Sequence, residues 1–410
     1  SINDINKPYP MNRLIQGDVG SGKTIVAIAL SLLMVDAGYQ VAIMVPTEVL
    51  ADQHYQSFID YLKDYNVSIE LIKSGIKKRE YDDIIYRLVN NRINILIGTH
   101  SILNDNVIFS KLGLVIIDEQ HRFGVNQRIR LIDKYKDVDS MFLSATPIPR
   151  TLGLTFFRDL DISSIKEMPK GRKPIVTKVI NIDNITGLMK SIKNHLDMGE
   201  QAYFVVPLIT ENEDFNYMDL DTCKEIIEKY LPDESYTVIH GKMKNIDKNE
   251  AIMGFKNGKY KILVSTTVIE VGINIPNSTM MIIMDADRFG LATLHQLRGR
   301  VGRGDKESYC MLVTKNTDNE RLNALEKYSS GFDISEIDFR LRGPGSYLGE
   351  EQSGFSSELL YSSFENDLKI LECAKNDSME LLDDFINKKI SSKKFDSILA
   401  SSDSKIDKIN

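Results

Sequence analysis

The stretch Gly17-Asp18-Val19-Gly20-Ser21-Gly22-Lys23-Thr24 decides the interpretation of the whole chain, because it has the form G-x-x-x-x-G-K-T. Glycines at these positions let successive backbone amides turn inward onto a phosphate. We predict that Lys23 reaches the β- and γ-phosphates of a nucleotide and that Thr24 binds Mg²⁺. The residues predicted to hold the nucleotide are Gly17, Gly20, Ser21, Gly22, Lys23 and Thr24.

The sequence on either side of this loop supports the prediction. A partly apolar run at 13–16 predicts a strand before the loop, and an apolar run at 25–35 predicts a buried helix after it. A phosphate would then lie at the N-terminus of that helix, where backbone amides and the helix dipole favour an anion. The alternative is a glycine-rich turn with an incidental lysine, and it does not explain the order of strand, loop and helix.

Composition limits the classes of protein to consider. The 410 residues are 42% hydrophobic and 27% charged, which is ordinary for a globular chain of two or three domains. A net charge of −7 argues against a generic nucleic-acid-binding protein but allows a local basic groove. The three cysteines are far apart, so we expect free thiols in a reducing cytoplasm. No apolar run is long enough to span a bilayer, and we expect no membrane partner.

Two successive parts of the chain alternate apolar runs with amphipathic stretches, which predicts parallel sheets with helices on both faces. The predicted strands are 41–45, 95–97, 114–117 and 141–143 in the first part, and 202–206, 236–239, 262–264, 280–284 and 309–313 in the second. The predicted helices are 48–62, 78–89, 185–196, 222–229 and 248–256. A basic segment with proline and glycine at 166–174 predicts a linker.

From residue 321 onward the pattern changes. We predict a helix at 321–328, a glycine- and proline-rich loop at 331–355, and helices at 358–374 and 379–390. The predicted domains are therefore residues 1–168, 169–320 and 321–410.

The second stretch that carries chemistry is Asp118-Glu119-Gln120-His121, directly after the predicted strand 114–117. A carboxylate at the end of a strand can hold Mg²⁺ opposite the phosphate loop, which is the role we predict for Asp118. Glu119 would then orient and activate the attacking water. The alternative is an acidic cluster that caps a strand before a surface turn, and the upstream phosphate loop argues against it.

A third stretch, Ser144-Ala145-Thr146-Pro147, follows the next predicted strand. Its two hydroxyl groups could bond the acidic residues and report the state of the nucleotide to a distant surface. Taken by itself, the stretch is better explained as an ordinary turn at the end of a strand.

A fourth stretch, residues 296–303, reads Q-L-R-G-R-V-G-R. Arg300 and Arg303 lie three residues apart, so a helix would place them on one face. We predict that they approach the γ-phosphate from the second part of the chain and stabilise charge in the transition state. A basic patch for nucleic-acid phosphates is the alternative, and it stays open for Arg298.

These stretches in this order, with P-T-E at 46–48 and G-T-H at 98–100, resemble the motors of superfamily-two helicases and translocases. Four further short segments resemble those of the RecG family of branch-migrating bacterial DNA helicases: M-N-R-L-I-Q-G-D at 11–18, D-E-Q-H-R-F-G-V at 118–125, T-T-V-I-E-V-G at 266–272 and R-F-G-L at 288–291. The resemblance runs from about residue 11 to residue 355. The transcription-repair coupling translocase has a similar acidic motif, and His121 favours the RecG family.

The resemblance implies two tandem RecA-like parallel-sheet domains, with ATP and Mg²⁺ in the cleft between them and a C-terminal helical and loop element for translocation. It implies that Gln296, Arg300 and Arg303 complete the site, and that Gly272 and Asn274 lie near the nucleotide. The residues implied to contact the DNA backbone or to couple it to ATP are Thr47, Thr99, His100, His121, Ser144, Thr146, Thr266 and Thr267. Hydroxyl groups suit phosphates because they bind them without reading sequence.

Residues 331–352 resemble the translocation motif that the RecG family shares with the coupling translocase. The resemblance implies that a helical hairpin and a loop convert closure of the cleft into a pull on duplex DNA. The matching positions are Arg321, Arg342 and Gln352. The alternative is that these arginines form buried structural ion pairs.

The sequence departs from the family pattern in three places. Glu350 and Glu351 stand before Gln352 where the family commonly has a basic residue, which argues against DNA contact there. Asn274 stands where the family often has aspartate, and we expect little change from it. Neither the wedge domain of the family nor its adenine-recognition segment precedes Met11, so we expect a fragment without the wedge and only weak unwinding of junctions.

From the sequence we therefore expect an ATP-dependent helicase that translocates on duplex DNA and remodels branched DNA in recombination and repair. We expect it to work as a monomer in the bacterial cytoplasm, with branched and duplex DNA and replication-fork proteins as partners. One alternative is the transcription-repair coupling translocase. Another is a regulatory nucleotide-binding module that does not translocate, against which Glu119, Arg300 and Arg303 argue.

Overall fold

The computed structural model describes residues 2–5, 7, 9–73, 75–119, 135, 138–145, 147, 160–167, 173–207, 218–266, 275, 277–302 and 304–342, with a few single positions between 373 and 385. The chain forms two compact units. The first contains residues 1–148 and 159–341, and the second contains residues 149–158 and 342–410. Both sheets described below belong to the first unit.

The first sheet has seven strands in the order β3-β4-β2-β5-β6-β1-β7, and neighbouring strands are parallel throughout. Its strands are β1 (Asn12–Gly17), β2 (Gln40–Met44), β3 (Ile69–Ile72), β4 (Ile95–Gly98), β5 (Leu112–Asp118), β6 (Asp139–Ser144) and β7 (Asp161–Ile165). The helices described with it are α1 (Ile2–Ile5), α2 (Lys23–Asp36), α3 (Glu48–Leu62) and α4 (Lys78–Val89).

The second sheet has six parallel strands in the order β10-β11-β9-β12-β13-β8. Its strands are β8 (Val176–Asn181), β9 (Gln201–Val205), β10 (Tyr236–Ile239), β11 (Ile262–Ser265), β12 (Ser278–Ile283) and β13 (Tyr309–Thr314). The helices that follow its strands are α5 (Ile185–Asp197), α6 (Leu220–Tyr230), α7 (Asn245–Lys256), α8 (Leu291–Arg298), α9 (Glu320–Lys327) and α10 (Gly331–Arg342).

Burial explains why the central strands were predictable. Val115, Ile116 and Ile117 of β5 are fully buried, and β5 lies between β2 and β6. A strand covered on both faces needs apolar residues at successive positions, which is the pattern that predicted it. All nine predicted strands after residue 40 are present, and β1 lies at the strand predicted before the phosphate loop.

Three strands, β3, β7 and β8, are not among the predicted ones, and each lies at the edge of its sheet. Edge strands are buried less and carry polar residues, so they lack the continuous apolar run that would predict a strand. Strand β7 illustrates the effect, since its sequence is D-I-S-S-I and none of its residues is fully buried.

The prediction of a loop over 331–355 is wrong for its first part, because Gly331–Arg342 is an α-helix. Ile334 and Phe339 are buried and Ile337 packs against the core of the second sheet, so an apolar face holds the helix in place. The glycine at 331 stands at the first helical position and does not interrupt the helix. The predicted helices 358–374 and 379–390 lie outside the described residues, apart from single positions.

The cysteines and the lengths of the helices bear on the expected free thiols and on a membrane partner. Cys223 and Cys310 are buried free thiols, and burial raises the pKa of each to about 12. Cys373 is also free. Across the described ranges, no helix has both the length and the apolar character needed to cross a membrane. The predicted domain limits at residues 168 and 320 stay predictions.

Candidate functional site

The motif residues lie close together because they end or follow neighbouring parallel strands. In a parallel sheet the carboxyl ends of the strands meet at one edge, which is where ligands bind in α/β folds. The motif residues that end or follow the strands of the first sheet are Gly17 at the end of β1, Thr47 after β2, Thr99 after β4, Asp118 at the end of β5 and Ser144 at the end of β6. Thr266 follows β11 at the corresponding edge of the second sheet.

The phosphate loop joins β1 to α2 and depends on its glycines. Gly20 and Gly22 have φ angles of 81° and 94°, in the left-handed region that residues with a Cβ rarely adopt. A Cβ on Gly17 would lie 2.6 Å from the Ser21 hydroxyl and 2.9 Å from the Ile165 carbonyl oxygen. Each of these positions therefore requires glycine for a separate geometric reason.

The interior of this loop suits an anion. Lys23 Nζ donates to the carbonyl oxygens of Gly17 at 2.6 Å and Asp18 at 2.9 Å, so the loop curls around the ammonium group. No side chain caps the N-terminus of α2, and within the described residues the buried Ser21 hydroxyl has no hydrogen-bond partner. Free donors at a helix N-terminus beside a lysine are what a phosphate needs.

Asp118 ends β5 as an ionised carboxylate. Its Oδ2 lies 2.8 Å from His54 Nε2, and its Oδ1 accepts the Glu119 amide at 2.9 Å. Burial by itself would raise the pKa of Asp118, but the hydrogen bond from His54 and the charge of Lys23 leave the pKa lowered. A hard, ionised oxygen ligand near the phosphate lysine fits Mg²⁺, with the Thr24 hydroxyl at the start of α2 as a second ligand.

Glu119 adopts a backbone conformation that is uncommon for its residue type. Its φ angle is 52°, in the left-handed region. Such strain concentrates at functional sites, because the surrounding structure must hold it. The position directly after Asp118 agrees with the predicted role in orienting a water molecule.

Residues at the end of α8 lie against the phosphate loop. A Cβ on Gly299, just after α8, would lie 3.1 Å from Val19 Cβ, and His295 Nε2 lies 2.8 Å from Asp18 Oδ1. Gln296 is half-buried on α8 and Arg300 is buried two residues beyond its end. The structure thus brings a segment from the second sheet to the loop on the first.

Arg298 is a buried residue that braces other parts of the chain. Its guanidinium group donates to the carbonyl oxygens of Leu325, Tyr328 and Ser329 at 2.7–2.8 Å, and lies 2.8 Å from His295 Nδ1. The first two carbonyls lie in the last turn of α9 and directly after it. This geometry assigns Arg298 to holding the end of α9, in place of the phosphate patch left open by the sequence.

The residues predicted to meet DNA have varied environments. The Thr47 hydroxyl accepts the Leu50 amide at 3.3 Å and caps α3, and Ser144 is buried at the end of β6. Thr99 is buried beside the exposed His100. The Thr266 hydroxyl is buried without a hydrogen-bond partner in the described part of the chain.

Other predicted residues lie farther along the chain or outside the described residues. Arg321 is half-buried, and its Nη2 donates to the backbone carbonyl oxygen of Asp287 at 3.0 Å, so the bond described for it is not the buried ion pair of the structural alternative. Arg342 closes α10, and its side chain is not described. The predicted positions that fall outside the described residues are His121, Thr146, Thr267, Gly272, Asn274, Arg303 and Gln352.

Three residues of this site have no role in the predictions from sequence: His54, Asp18 and His295. His54 is buried on α3, with its ring against Asp118. Asp18 occupies an unspecified position of the loop motif, and His295 directly precedes Gln296. Their partners lie 64 and 277 residues away in sequence, so no local pattern predicts the contacts.

Comparison with known families covers both sheets. Residues 2–154 match the family described as DEAD/DEAH box helicase, and residues 183–305 match the family described as Helicase conserved C-terminal domain. Each match includes the motifs of its own sheet, with the phosphate loop and Asp118 in the first. The predicted fold class, two tandem RecA-like parallel-sheet domains, is confirmed.

Curated relatives of this chain have the name ATP-dependent DNA helicase RecG. The protein of Aquifex aeolicus is 46% identical over 391 residues, which cover 93% of this chain and 49% of the relative. The protein of Bacillus subtilis is 43% identical over 383 residues, which cover 92% of this chain and 56% of the relative. The chain spans about half the length of these curated relatives.

Solved structures agree with this relationship. The structure of RecG bound to a three-way DNA junction aligns with a TM-score of 0.73 at 41% identity and covers 90% of this chain and 48% of that one. The structure of S. cerevisiae Dbp5 bound to RNA and ADP BeF3 aligns with a TM-score of 0.58 at 18% identity, over 82% of this chain and 89% of that one. The second likeness shows the shared fold alone.

Proposed function

We propose a function from the premise that the helicase core of this chain belongs to the RecG family of DNA helicases. The chain is the ATP-driven motor of an enzyme that moves along duplex DNA and remodels branched DNA such as stalled forks and Holliday junctions. It acts in DNA recombination and repair in the bacterial cytoplasm.

The observation that carries this proposal is the contact between the phosphate loop, which follows a strand of the first sheet, and the end of α8, which follows a strand of the second. The segment after α8 packs with Gly299 beside Val19, and His295 reaches Asp18. Groups from a second domain that approach a bound triphosphate are a recurring part of ATP-driven machines, because they link hydrolysis to domain movement. The neighbouring residue Arg300 supplies such a group, and Arg303 is proposed as another.

The reaction follows from the residues around the loop. The backbone amides of the loop and Lys23 bind the phosphates of ATP, while Thr24 and Asp118 are suited to hold Mg²⁺. Mg²⁺, when bound, neutralises charge on the β- and γ-phosphates. Glu119 orients the attacking water in line with the γ-phosphate. Residues Gln296, Arg300 and Arg303 complete the site from the second sheet.

Movement along DNA requires contacts that do not depend on sequence. We assign these contacts to residues at the carboxyl edges of the two sheets: Thr47, Thr99, His100 and Thr266, with Thr267. Hydroxyl groups and helix N-termini bind phosphates without reading the bases. When the two sheets change their spacing during an ATP cycle, contacts on the two sides would step along the backbone. Partners in this proposal are duplex and branched DNA and replication-fork proteins, with the enzyme working as a monomer.

The geometry of Asp118 and Glu119 argues against a regulatory module that only binds nucleotide. Such a module could use Asp118 for Mg²⁺, but it has no need of a second carboxylate directly after it, held in the left-handed backbone region. A carboxylate that orients water beside the metal is what hydrolysis needs.

The proposal is tested by measuring ATP hydrolysis without DNA, with linear duplex and with branched DNA. We expect stimulation by both DNAs, with the larger effect from branched DNA. Lys23→Ala removes a charge from the phosphates and is expected to reduce turnover by about 10²-fold or more. Lys178→Ala, which removes a lysine paired with Glu326 at the surface, serves as the matched control. Hydrolysis that no DNA stimulates would refute the translocase proposal.

A further inference from the structure

Asp18 is a buried carboxylate of the phosphate loop whose side chain points to another part of the chain. Its Oδ1 lies 2.8 Å from His295 Nε2, and its Oδ2 accepts the Gly331 amide at 3.1 Å. These partners are 277 and 313 residues away in sequence. One belongs to α8 and the other is the first residue of α10. The carboxylate therefore joins the loop to two helices that follow strands of the second sheet.

The start of α10 is shaped to fit this carboxylate. A Cβ on Gly331 would lie 2.0 Å from Asp18 Oδ1 and 2.7 Å from His295 Nε2, so only glycine lets the helix begin here. The first amides of a helix lack partners within the helix, and a negative charge near them is favourable. Asp18 supplies both the acceptor and the charge for this helix of 12 residues.

A second branch runs from the same carboxylate to the end of α9. Arg298 Nη2 lies 2.8 Å from His295 Nδ1, and a guanidinium group can only donate, so Nδ1 is the acceptor. The imidazole proton is then on Nε2, from which it is donated to Asp18. Arg298 also donates to the carbonyl oxygens of Leu325, Tyr328 and Ser329. Asp18 is thus linked to α9 through two side chains and to α10 directly.

The charge on Asp18 is maintained despite its burial. Burial alone would raise the pKa of the carboxyl, but the hydrogen bonds from His295 and Gly331 and the charge of Lys23 leave that pKa lowered. An ionised acceptor makes both hydrogen bonds charge-assisted, and such bonds are roughly twice as strong as neutral ones. Two charge-assisted hydrogen bonds therefore hold the carboxylate to α8 and α10.

Lys23 can change the position of Asp18, because it bonds the backbone of that residue. Its ammonium group donates to the Asp18 carbonyl oxygen at 2.9 Å, and the same group is the one that would bind a nucleotide phosphate. When Lys23 turns to a phosphate, the backbone of Asp18 loses this donor and the loop can settle differently. The side chain of the same residue is bonded to α8 and α10.

We infer that Asp18 is a positioning residue, which transmits the state of the phosphate loop to the α9–α10 pair through Gly331 in one branch and through His295 and Arg298 in the other. This inference rests on the proposed function, because it requires that the loop binds ATP. It adds a direct link that does not need the whole cleft to close.

The test is hydrogen–deuterium exchange of the full chain with and without a non-hydrolysable ATP analogue and Mg²⁺, in the absence of DNA. Peptides that span 325–342 are followed, and binding of the analogue is measured separately by calorimetry. A changed hydrogen bond to a charged group corresponds to about a tenfold change in the local exchange rate, which we expect at the first turn of α10. Binding without any change in these peptides would overturn the inference but not the proposed function. Absence of binding would defeat both.

Variants separate positioning from phosphate binding. Asp18→Asn is expected to bind the analogue, to exchange quickly at residues 331–334 in both states, and to consume more ATP per base pair translocated. Glu200→Gln is the matched control, since Glu200 is also a buried carboxylate bonded to a histidine, His195, but lies away from the loop. The control should keep the nucleotide response. A preserved response in Asp18→Asn, or loss of its nucleotide binding, would overturn the inference.

A second variant acts on one branch only. His295→Ala leaves the bond between Asp18 and the Gly331 amide in place and removes the link to Arg298. We expect the amides at the start of α10 to respond to the analogue, while those at 325–329 no longer do. If Asp18→Asn does not fold, as judged by its thermal melt, the difference in response between these two sets of amides in His295→Ala tests the inference. An equal response at both ends of the segment would contradict the two-branch arrangement.

Discussion

Replacement of Arg298 by alanine distinguishes a structural brace from a DNA contact. The substitution removes four hydrogen bonds to described residues, three of them to backbone carbonyl oxygens at and just beyond the end of α9. At about 1 kcal/mol net for each, the free energy of unfolding of the part built on the second sheet should fall by about 3–4 kcal/mol. With a urea dependence of about 2 kcal/mol per molar, the midpoint should shift by about 1.5–2 M. Arg298→Lys keeps the charge but lacks the planar fork, and should recover less than half of this loss.

The assay is urea unfolding followed by circular dichroism, since the chain has no tryptophan to report by fluorescence. The control is Arg340→Ala, which removes an exposed arginine paired with Glu336 on α10 and should change the unfolding free energy by less than about 0.5 kcal/mol. DNA affinity is measured in parallel at several salt concentrations. If Arg298 touched a DNA phosphate, the slope of log affinity against log salt would fall by about 0.9. That fall, with unchanged stability, would refute the structural role.

Three further predictions concern other parts of the molecule. His54→Ala removes the group bonded to Asp118, and we expect ATP turnover to fall about 10–100-fold with a higher Mg²⁺ requirement, measured as hydrolysis against Mg²⁺ concentration; an unchanged Mg²⁺ profile would contradict this. Gly22→Ala places a Cβ at a φ of 94°, so it should destabilise the loop by about 1 kcal/mol or more and weaken binding of a fluorescent ATP analogue; affinity equal to wild type would show that the loop tolerates the strain. Asp4→Asn tests pH dependence. The hydrogen bond from Arg13 holds the pKa of Asp4 well below its ordinary value, so its stabilisation is present above about pH 4 and is lost as the pH falls towards the lowered value. The variant should therefore melt below wild type at pH 7, and the gap should narrow at acid pH; a gap independent of pH would count against the ion pair.

Sequence patterns predicted the parts of the fold in which burial is continuous. Helices Glu48–Leu62 and Lys78–Val89 have the predicted limits, because each carries an apolar face bounded by polar residues. The central strands were equally clear. The missed strands β3, β7 and β8 are edge strands, whose identity depends on neighbours far away in sequence and much less on their own residues.

The residues of the candidate site also fall into two groups, those that a local motif predicts and those that it does not. Residues that act on the nucleotide, such as Lys23 and Asp118, belong to local motifs, because one loop and one strand end suffice to place them. His54 has no such motif. Its role comes from a contact with Asp118 across 64 residues, which only the folded chain creates.

Asp18 and Gly331 form a contact that the phosphate-loop motif by itself does not specify. The phosphate loop uses its backbone amides for an anion, so the unspecified positions of G-x-x-x-x-G-K-T are free to face elsewhere. An acidic side chain at such a position, next to an anion site, is unfavourable unless it has its own donors. Gly331 provides one donor, and it must be glycine because of the 2.0 Å approach that any Cβ would make to Asp18. The glycine that suggested a loop in the sequence is therefore better explained as a site of close approach. The aspartate inside the loop and the glycine at the start of the helix therefore form one contact, although they lie 313 residues apart in sequence.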